Sequence, residues 1–552
     1  MPEIQHQSFL KKWLPLIVMG LAVIIIVLDT TLLNVSLGTI VRDLHTNIQS
    51  LQWVISAYAL TLAALTITGG RFGDLFGRKR MFMLGAAIFA IGSFTASISH
   101  SVGILILGES VIEGIGAALM LPATISLLVA SYRGRDRALA LGVWGGMAAA
   151  GSAIGPVVGG YLTSHYSWRW GFRINVFVAA ILLLGSVLIK DSRDREEKPT
   201  IDLLGVVLSA AGLMGVVFAV IESATYGWWK ATKLFSIASY PLQLGGLSIV
   251  PYVLWLGVLF LICFFAWEQR MVNRGKTPLV AMKIFANKQF TAGASLSTIM
   301  SIGQVGLIFC IPVFLQGVRG LDALHTGYGL LPMSLGLFIM APMGGYLAKH
   351  FKPKRIVQTG LFINVFALLL LRHAVNITAG PVQFIVPMLI YGAGIGLCFS
   401  QLTNITMSAV SVDESGEASG VNNTLRQVGS SFGTAIIGTV VIATVATGLS
   451  KGVLSSSIIA PDRRSVVAAQ VKAQSSDIEF GIPITGQKLS AAEAQELKHI
   501  SDTSTVKATR EALLITATFT ALSFLVATQL PNVGMHDLET NESLAPKPSV
   551  AH

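Results

Sequence analysis

Charged residues are scarce in this sequence. Asp, Glu, Lys and Arg make up only 12% of the 552 residues, whereas 53% are hydrophobic. Soluble domains contain roughly 25% charged residues. The shortage excludes an ordinary water-soluble protein and predicts an all-α membrane protein that crosses the bilayer many times.

Cysteine and the common catalytic motifs are nearly or wholly missing as well. The three cysteines, Cys263, Cys310 and Cys398, all lie inside apolar runs, so we predict neither a disulfide framework nor a metal cluster. The sequence has no H-E-x-x-H, no G-x-S-x-G and no glycine loop that would cradle a phosphate. We therefore predict no cofactor, no metal and no enzymatic activity.

The net charge of +11 does not indicate a nucleic-acid partner. A surface that binds nucleic acid needs its cations clustered on one folded face. Here they recur in short segments between apolar runs, which is typical of the signals that set membrane topology. The predicted surroundings are a lipid bilayer.

Long apolar runs are what the sequence has in abundance. About 20 apolar residues cross a bilayer as a helix, and breaks at charged or turn-rich segments predict fourteen spans. Lys11 and Lys12 precede the first run, which is too long for a signal peptide and is interpreted as an uncleaved span. The predicted spans are Leu14–Ile40, Leu51–Gly70, Met81–Ser99, Val102–Ala130, Ala138–Thr163, Gly171–Leu188, Ile201–Glu222, Ser248–Trp267, Phe290–Leu315, Thr326–Leu347, Ile356–Val375, Pro381–Val410, Leu425–Ser450 and Glu511–Leu530.

The loops predict the orientation. Lysine and arginine are concentrated in alternate short loops, beginning with the loop between the second and third spans, and such loops face the cytoplasm. An even number of spans then places both termini in the cytoplasm, with the chain in the cell membrane. Residues 451–510 fall on the outside, where we expect an exposed loop with one short amphipathic helix.

The loop after the second span carries the most specific motif. Gly70 to Arg80 reads GRFGDLFGRKR, with Gly70 and Gly77 allowing two helix ends to approach each other. Asp74 can pair with Arg78 and Arg80 or with a helix N-terminus. The spacing resembles the signature loop of the major facilitator superfamily, while a generic positive-inside loop is the alternative. The resemblance implies that this loop gates the inner side.

A second loop repeats the first in part. Gly345 to Arg355, GYLAKHFKPKR, aligns with Gly70 to Arg80 and has Lys349 in the place of Asp74. Two related halves are what the superfamily is built from. We predict a first six-helix bundle at 1–200, an inserted helix pair with its linker at 201–289, a second bundle at 290–530 and a tail at 531–552. Fourteen spans resemble the drug:proton antiporter branch of the superfamily.

A glycine motif in the fifth span resembles the motif that marks exporters in this superfamily. Gly151, Gly155 and Gly159 recur every four residues, so a neighbouring helix can pack closely against them. Pro156 removes a backbone donor and bends the helix, and Gly160 completes the motif. Ordinary small-residue packing between membrane helices would give the same pattern.

The first span contains one carboxylate. Asp29 and Asn34 lie in VLDTTLLNVSL, which resembles a signature of the fourteen-span branch. Asp29 is about 15 residues from the inner end, close to the midplane at about 1.5 Å per residue. A carboxylate there must face a polar cavity, pair or hold a proton. Asp29 is therefore either a proton or cation site or a structural residue capped by Thr30 or Asn34.

The fourth span departs from the resembled antiporters, which carry R-x-x-Q-G where this chain reads SVIEG at Ser110 to Gly114. Glu109 and Glu113 stand one turn apart on one helix face. Two carboxylates that close in a low-dielectric site cannot readily both be ionised, so at least one is expected to carry a proton. Alternatively, one glutamate forms a salt bridge with Arg173 or Arg426.

Several polar residues inside later spans line a cavity or bond between helices: Gln304, Asn364, Gln401, Asn404 and Arg426. Together the motifs predict a monomeric, proton-coupled transporter that exports lipophilic small molecules, cationic ones in particular. The alternatives are a dedicated exporter or flippase of an amphiphilic lipid, peptide or endogenous antibiotic, and an uptake symporter.

Overall fold

The computed structural model describes residues 9–46, 48–189, 202–237, 240–241, 244–276, 278–411, 414–473 and 490–532. Fourteen helices in these ranges are long and apolar enough to cross a membrane, which confirms the predicted all-helical class. In chain order, spans 1 to 14 are Phe9–Asp43, Ile48–Phe76, Arg78–Ser97, Val102–Ser131, Gly134–His165, Arg169–Gly185, Leu203–Tyr226, Val250–Asn273, Lys288–Gly317, Ala323–Leu347, Pro353–Ala374, Pro381–Met407, Ser415–Ser455 and Ala491–Ala527.

Shorter pieces connect the spans within the described ranges, and a 3-10 helix, Ser186–Leu188, follows span 6. A two-stranded hairpin, β1 (Ser236–Ile237) and β2 (Tyr240–Pro241), lies between spans 7 and 8. A short helix, Met282–Ala286, precedes span 9, and the helix Pro461–Ala473 follows span 13.

The helices run further than the hydropathy pattern predicts, most clearly around the predicted outer loop 451–510. Span 13 continues to Ser455, and span 14 begins at Ala491 rather than at Glu511. A capping box starts span 14, in which Ser490 and Glu493 bond to each other's backbone amides. Hydropathy detects only the part of a helix that lies in lipid, whereas a capped helix continues beyond it.

Spans 2 and 3 are joined by one residue, Gly77. Its φ of 103° lies in the left-handed region that side chains disfavour, so this tight turn requires glycine. We call the end of the bundle at Gly77 the basic face and the other end the opposite face.

The apolar core is divided. One cluster is built mainly from spans 1 to 6 and a second from spans 9 to 14. The inserted pair, spans 7 and 8, packs beside both groups, since Val217 and Phe218 of span 7 contact Leu60 of span 2 and Val428 of span 13. Span 7 therefore lies along the line where the two groups meet.

Candidate functional site

Three carboxylates lie together inside the first group of spans. Asp29 of span 1 and Glu109 and Glu113 of span 4 are each at most 1% exposed. Burial to this extent strips water from all three carboxyl groups, so their charge depends entirely on neighbouring protein groups.

Asn175 of span 6 links two of them. Its Nδ2 donates to Asp29 Oδ1 at 2.8 Å and to Glu113 Oε1 at 3.3 Å, and the two carboxyl groups are within hydrogen-bonding range of each other. The remaining oxygens, Asp29 Oδ2 and Glu113 Oε2, are buried and accept no hydrogen bond within the described residues. A proton held between the two carboxyls would satisfy both oxygens.

The backbone of span 4 is unusual at this point. Residues Ile106–Glu113 form a π-helix, a rare conformation that is frequent at functional sites. The Ser110 hydroxyl contacts Glu109 Oε2 at 2.8 Å and the Val54 carbonyl of span 2 at 2.7 Å. Span 3 approaches closely here, since a Cβ on Gly92 would lie 2.6 Å from the Gly108 carbonyl oxygen. The wider turn thus presents both glutamates to the interior of the first group.

Neither Glu109 nor Glu113 forms a salt bridge in the described part of the chain. The alternative partners, Arg173 and Arg426, lie against aromatic rings instead. Arg173 lies over the Trp170 ring, 5.0 Å from its centroid, and Arg426 lies 4.6 Å from the centroid of Phe399. The Thr30 hydroxyl donates to the Val27 carbonyl, and the side chain of Asn34 lies outside the described residues.

Asp74 occupies a second polar site, at the basic face. It is 6% exposed and accepts from Arg78 Nη2 at 2.9 Å and from Arg78 Nε at 3.1 Å. It also accepts from the backbone amides of Gly416 at 3.2 Å and Glu417 at 2.8 Å, in the first turn of span 13. Asp74 therefore caps a helix of the second group, where a carboxylate is favoured by the exposed N–H groups and the helix dipole.

Close backbone contact accompanies this cap. A Cβ on Gly70 would meet the Gly416 carbonyl oxygen, and one on Gly416 would meet Asp74 Oδ1. Two further bonds join the groups at the same end, from Arg137 Nε to Asn404 Oδ1 at 3.3 Å and from the Ser419 hydroxyl to the Pro122 carbonyl at 3.4 Å. The basic face is closed in this structure.

The linker after span 8 joins the same site. Glu268 of span 8 accepts from the Val280 amide at 3.2 Å, and Glu417 accepts from the next amide, that of Ala281. Arg71 lies 3.8 Å from Glu417. A cavity of about 520 Å³ lies beneath the linker, lined by charged side chains that include Arg71, Asp74, Lys276, Lys283, Glu414 and Glu417. Sequence reasoning missed Glu417, although it falls in the small-residue run SGEASG that begins span 13.

The predicted gating residues thus separate into two sets. Gly70, Asp74, Gly77 and Arg78 are buried at the contact. Arg80 is exposed and forms no ion pair within the described ranges.

The polar residues predicted for a cavity lie in different surroundings. Asn364 is buried against Gly394 of span 12 and packs two helices of one group together, while Asn404 bonds across the groups. Gln401 bonds to Ser400 at 3.2 Å. Gln304 and Arg426 are partly exposed.

The glycine motif of span 5 packs against span 1. A Cβ on Gly151 would lie 2.9 Å from the Ile24 carbonyl oxygen, one on Gly155 would meet Thr31, and one on Gly159 would lie 2.9 Å from Leu32. Gly160 faces Leu324 of span 10 in the other group. The side chain of Pro156 lies outside the described residues.

The opposite face of the first group is also tied. Asp43 accepts from Trp168 Nε1 at 3.0 Å and from Arg169 Nη1 at 2.6 Å. Spans 1 and 6 are held together by this contact.

The family model of the Major Facilitator Superfamily matches residues 19–434. The chain belongs to the Major Facilitator Superfamily. It is therefore a multi-pass membrane transporter and not an enzyme.

Its relatives in this superfamily include resistance proteins. The multidrug efflux pump LfrA of Mycolicibacterium smegmatis is 31% identical over 438 residues, which are 78% of this chain and 81% of LfrA. The tetracenomycin C resistance and export protein of Streptomyces glaucescens is 27% identical over 436 residues, 79% of this chain and 77% of that protein. Among solved structures, the proton:xylose symporter XylE aligns over 97% of this chain and 98% of its own, with a TM-score of 0.59 and 11% identity. That likeness shows the fold alone.

Proposed function

We propose that this transporter exports lipophilic small molecules in exchange for protons by alternating access. The pairing of Asp29 with Glu113 through Asn175 carries the proposal, because two enclosed carboxyls with unsatisfied oxygens form a site that gains from binding one proton. The names of LfrA and of the tetracenomycin C protein support export of small toxic compounds.

The gate is the second part of the proposal. Asp74 and Arg78 stabilise the closed basic face by capping span 13, and loss of these bonds opens the path between residues 1–200 and 290–530. The basic face is the cytoplasmic one, with both termini on that side of the cell membrane, and the monomer is the transporting unit.

The carboxylate site does not by itself indicate a cationic substrate. A cationic substrate is predicted from the carboxylates at mid-depth, which could attract a positive charge. In this structure those carboxylates are enclosed and bonded to one another through Asn175, so they support a proton site more directly than a contact with a drug.

Transport by purified protein in vesicles tests the proposal. Vesicles with an imposed proton gradient should move a lipophilic dye, and an uncoupler should stop the movement. Cells that lack their own efflux pumps should tolerate toxic dyes better when they express the chain. Gradient-driven dye movement in the direction of uptake would identify a symporter instead, and no movement across a broad panel of compounds would refute drug export.

A further inference from the structure

Arg426 of span 13 is a cation without a carboxylate partner among the described residues. Span 13 begins at the basic face with Ser415, so Arg426 lies about 16 Å along the helix, at 1.5 Å per residue. That distance is about half of a hydrocarbon core of about 30 Å. A charge at this depth is costly unless it pairs or faces a polar cavity, and Arg426 is partly exposed.

Aromatic rings and buried polar groups without partners, donors among them, lie near Arg426. Its guanidinium lies 4.6 Å from the Phe399 ring centroid, and the ring of Trp144 stacks on Phe399 with a centroid distance of 6.1 Å. The buried Trp144 Nε1 has no acceptor in the described part of the chain, and neither does Nδ2 of Asn423, one turn before Arg426. Donors without acceptors are satisfied by a ligand that supplies negative charge or strong acceptors.

The cluster spans the boundary between the two groups of helices. Trp144 belongs to span 5, whereas Phe399 and Arg426 belong to spans 12 and 13. Gly145 makes the contact possible, because a Cβ there would overlap the Phe399 ring. In transporters of this architecture substrate sites lie near the midplane at such a boundary. A ligand held there would touch both groups at once.

We propose that Arg426, Phe399 and Trp144 form a subsite for a planar lipophilic anion, a carboxylate or enolate carried on an aromatic ring system. The acidic group pairs with the guanidinium, and the ring system packs against the aromatic side chains. This inference rests on the proposed export of lipophilic small molecules and specifies their chemical class. It replaces the expectation of a cationic substrate.

Three probes with one ring system test the subsite: pyrenebutyrate, its methyl ester and pyrenebutylamine. Full-length detergent-solubilised protein should bind the carboxylate at least about tenfold more tightly than the ester or the amine, as one charge-assisted pair allows. Arg426→Gln should remove this preference, so that the carboxylate binds no more tightly than the ester. Arg426→Lys retains the charge and should keep part of the preference, whereas Phe399→Leu should weaken binding of all three.

Two results would overturn the subsite. Equal binding of the three probes by the wild-type protein would do so, as would a uniform loss for all probes in both Arg426 variants, since that pattern indicates a structural role. Gradient-driven export of the ester in vesicles tests the proposed function on its own. Ester export without a carboxylate preference overturns the subsite alone, and a carboxylate preference without any export overturns only the proposed function.

Discussion

The first half of this transporter, spans 1 to 6, and the second half, spans 9 to 14, differ in their chemistry. The first half encloses three carboxylates and ends its second span with Asp74. At the matching loop of the second half, Lys349 takes the place of Asp74 and lies over the Tyr346 ring at 4.7 Å from its centroid. In the proposed mechanism, spans 1 to 6 bind the proton and close the gate, and the start of span 13 receives it.

The largest effect is expected from removing a carboxylate of the first half. Glu113→Gln eliminates the acid that shares Asn175 with Asp29, so proton release on substrate binding should disappear. Asp29→Asn should impair it. A pH electrode on weakly buffered, detergent-solubilised protein measures the release.

Glu222→Gln is the matched control for this variant, because Glu222 is buried at 6% exposure in the inserted pair, outside the carboxylate cluster. It should release protons like the wild type. Wild-type release from Glu113→Gln would move the proton site elsewhere and leave Asp29 as the better candidate.

The next largest effect is expected at the glycine contact of the gate. Gly416→Ala introduces a Cβ that meets Asp74 and the Gly70 carbonyl oxygen, so the basic face should no longer close. Spin labels on Met83→Cys and His350→Cys in a cysteine-free background report the separation of the halves. The distance should lengthen in Gly416→Ala.

Gly438→Ala in the same helix is the control, since a Cβ there has no heavy atom within 4 Å. It should leave the measured distance unchanged. An unaltered distance in Gly416→Ala would show that the contact is not needed for closure.

A smaller effect is expected from Asp74→Asn. The variant weakens bonds between a carboxylate, Arg78 and two backbone amides, and bonds to charged groups each contribute about 1.5–3 kcal/mol. Transport should slow by about tenfold or more while expression is retained. Lys349→Gln, at the matching position of the second half, is the control and should transport at the wild-type rate. Equal slowing by Asp74→Asn and Lys349→Gln would show that the two loops do not differ in function.

The smallest effect is expected from Glu109→Gln. Glu109 bonds to Ser110 rather than to Asn175, and it acts on Glu113 as a neighbouring negative charge. Its removal should shift proton release to lower pH without abolishing it, because one source of repulsion on ionised Glu113 is lost. Titration of the release against pH measures the shift, and a complete loss would place Glu109 in the proton-binding pair itself.

Much of the site could be anticipated from single stretches of sequence. GRFGDLFGRKR contains the turn glycine, the acid and its arginine within eleven residues, and the two acids of span 4 are four residues apart. Asn175 could not be recognised in this way, because its role depends on spans 1, 4 and 6 meeting. The π-helix over Ile106–Glu113 was equally hidden, since the sequence of this segment does not distinguish it from an α-helix.

The sequence by itself determined the fourteen spans, because burying a helix in lipid requires an apolar run of fixed length whatever its neighbours are. It also determined the family, through local motifs whose residues stand close together in the chain. Only the tertiary structure decided which polar groups meet: Asp74 with the first turn of span 13, Glu113 with Asp29 through Asn175, and Arg426 with Phe399 and Trp144. These contacts join residues up to 343 positions apart, and no local pattern specifies them because the packing of whole helices brings the partners together.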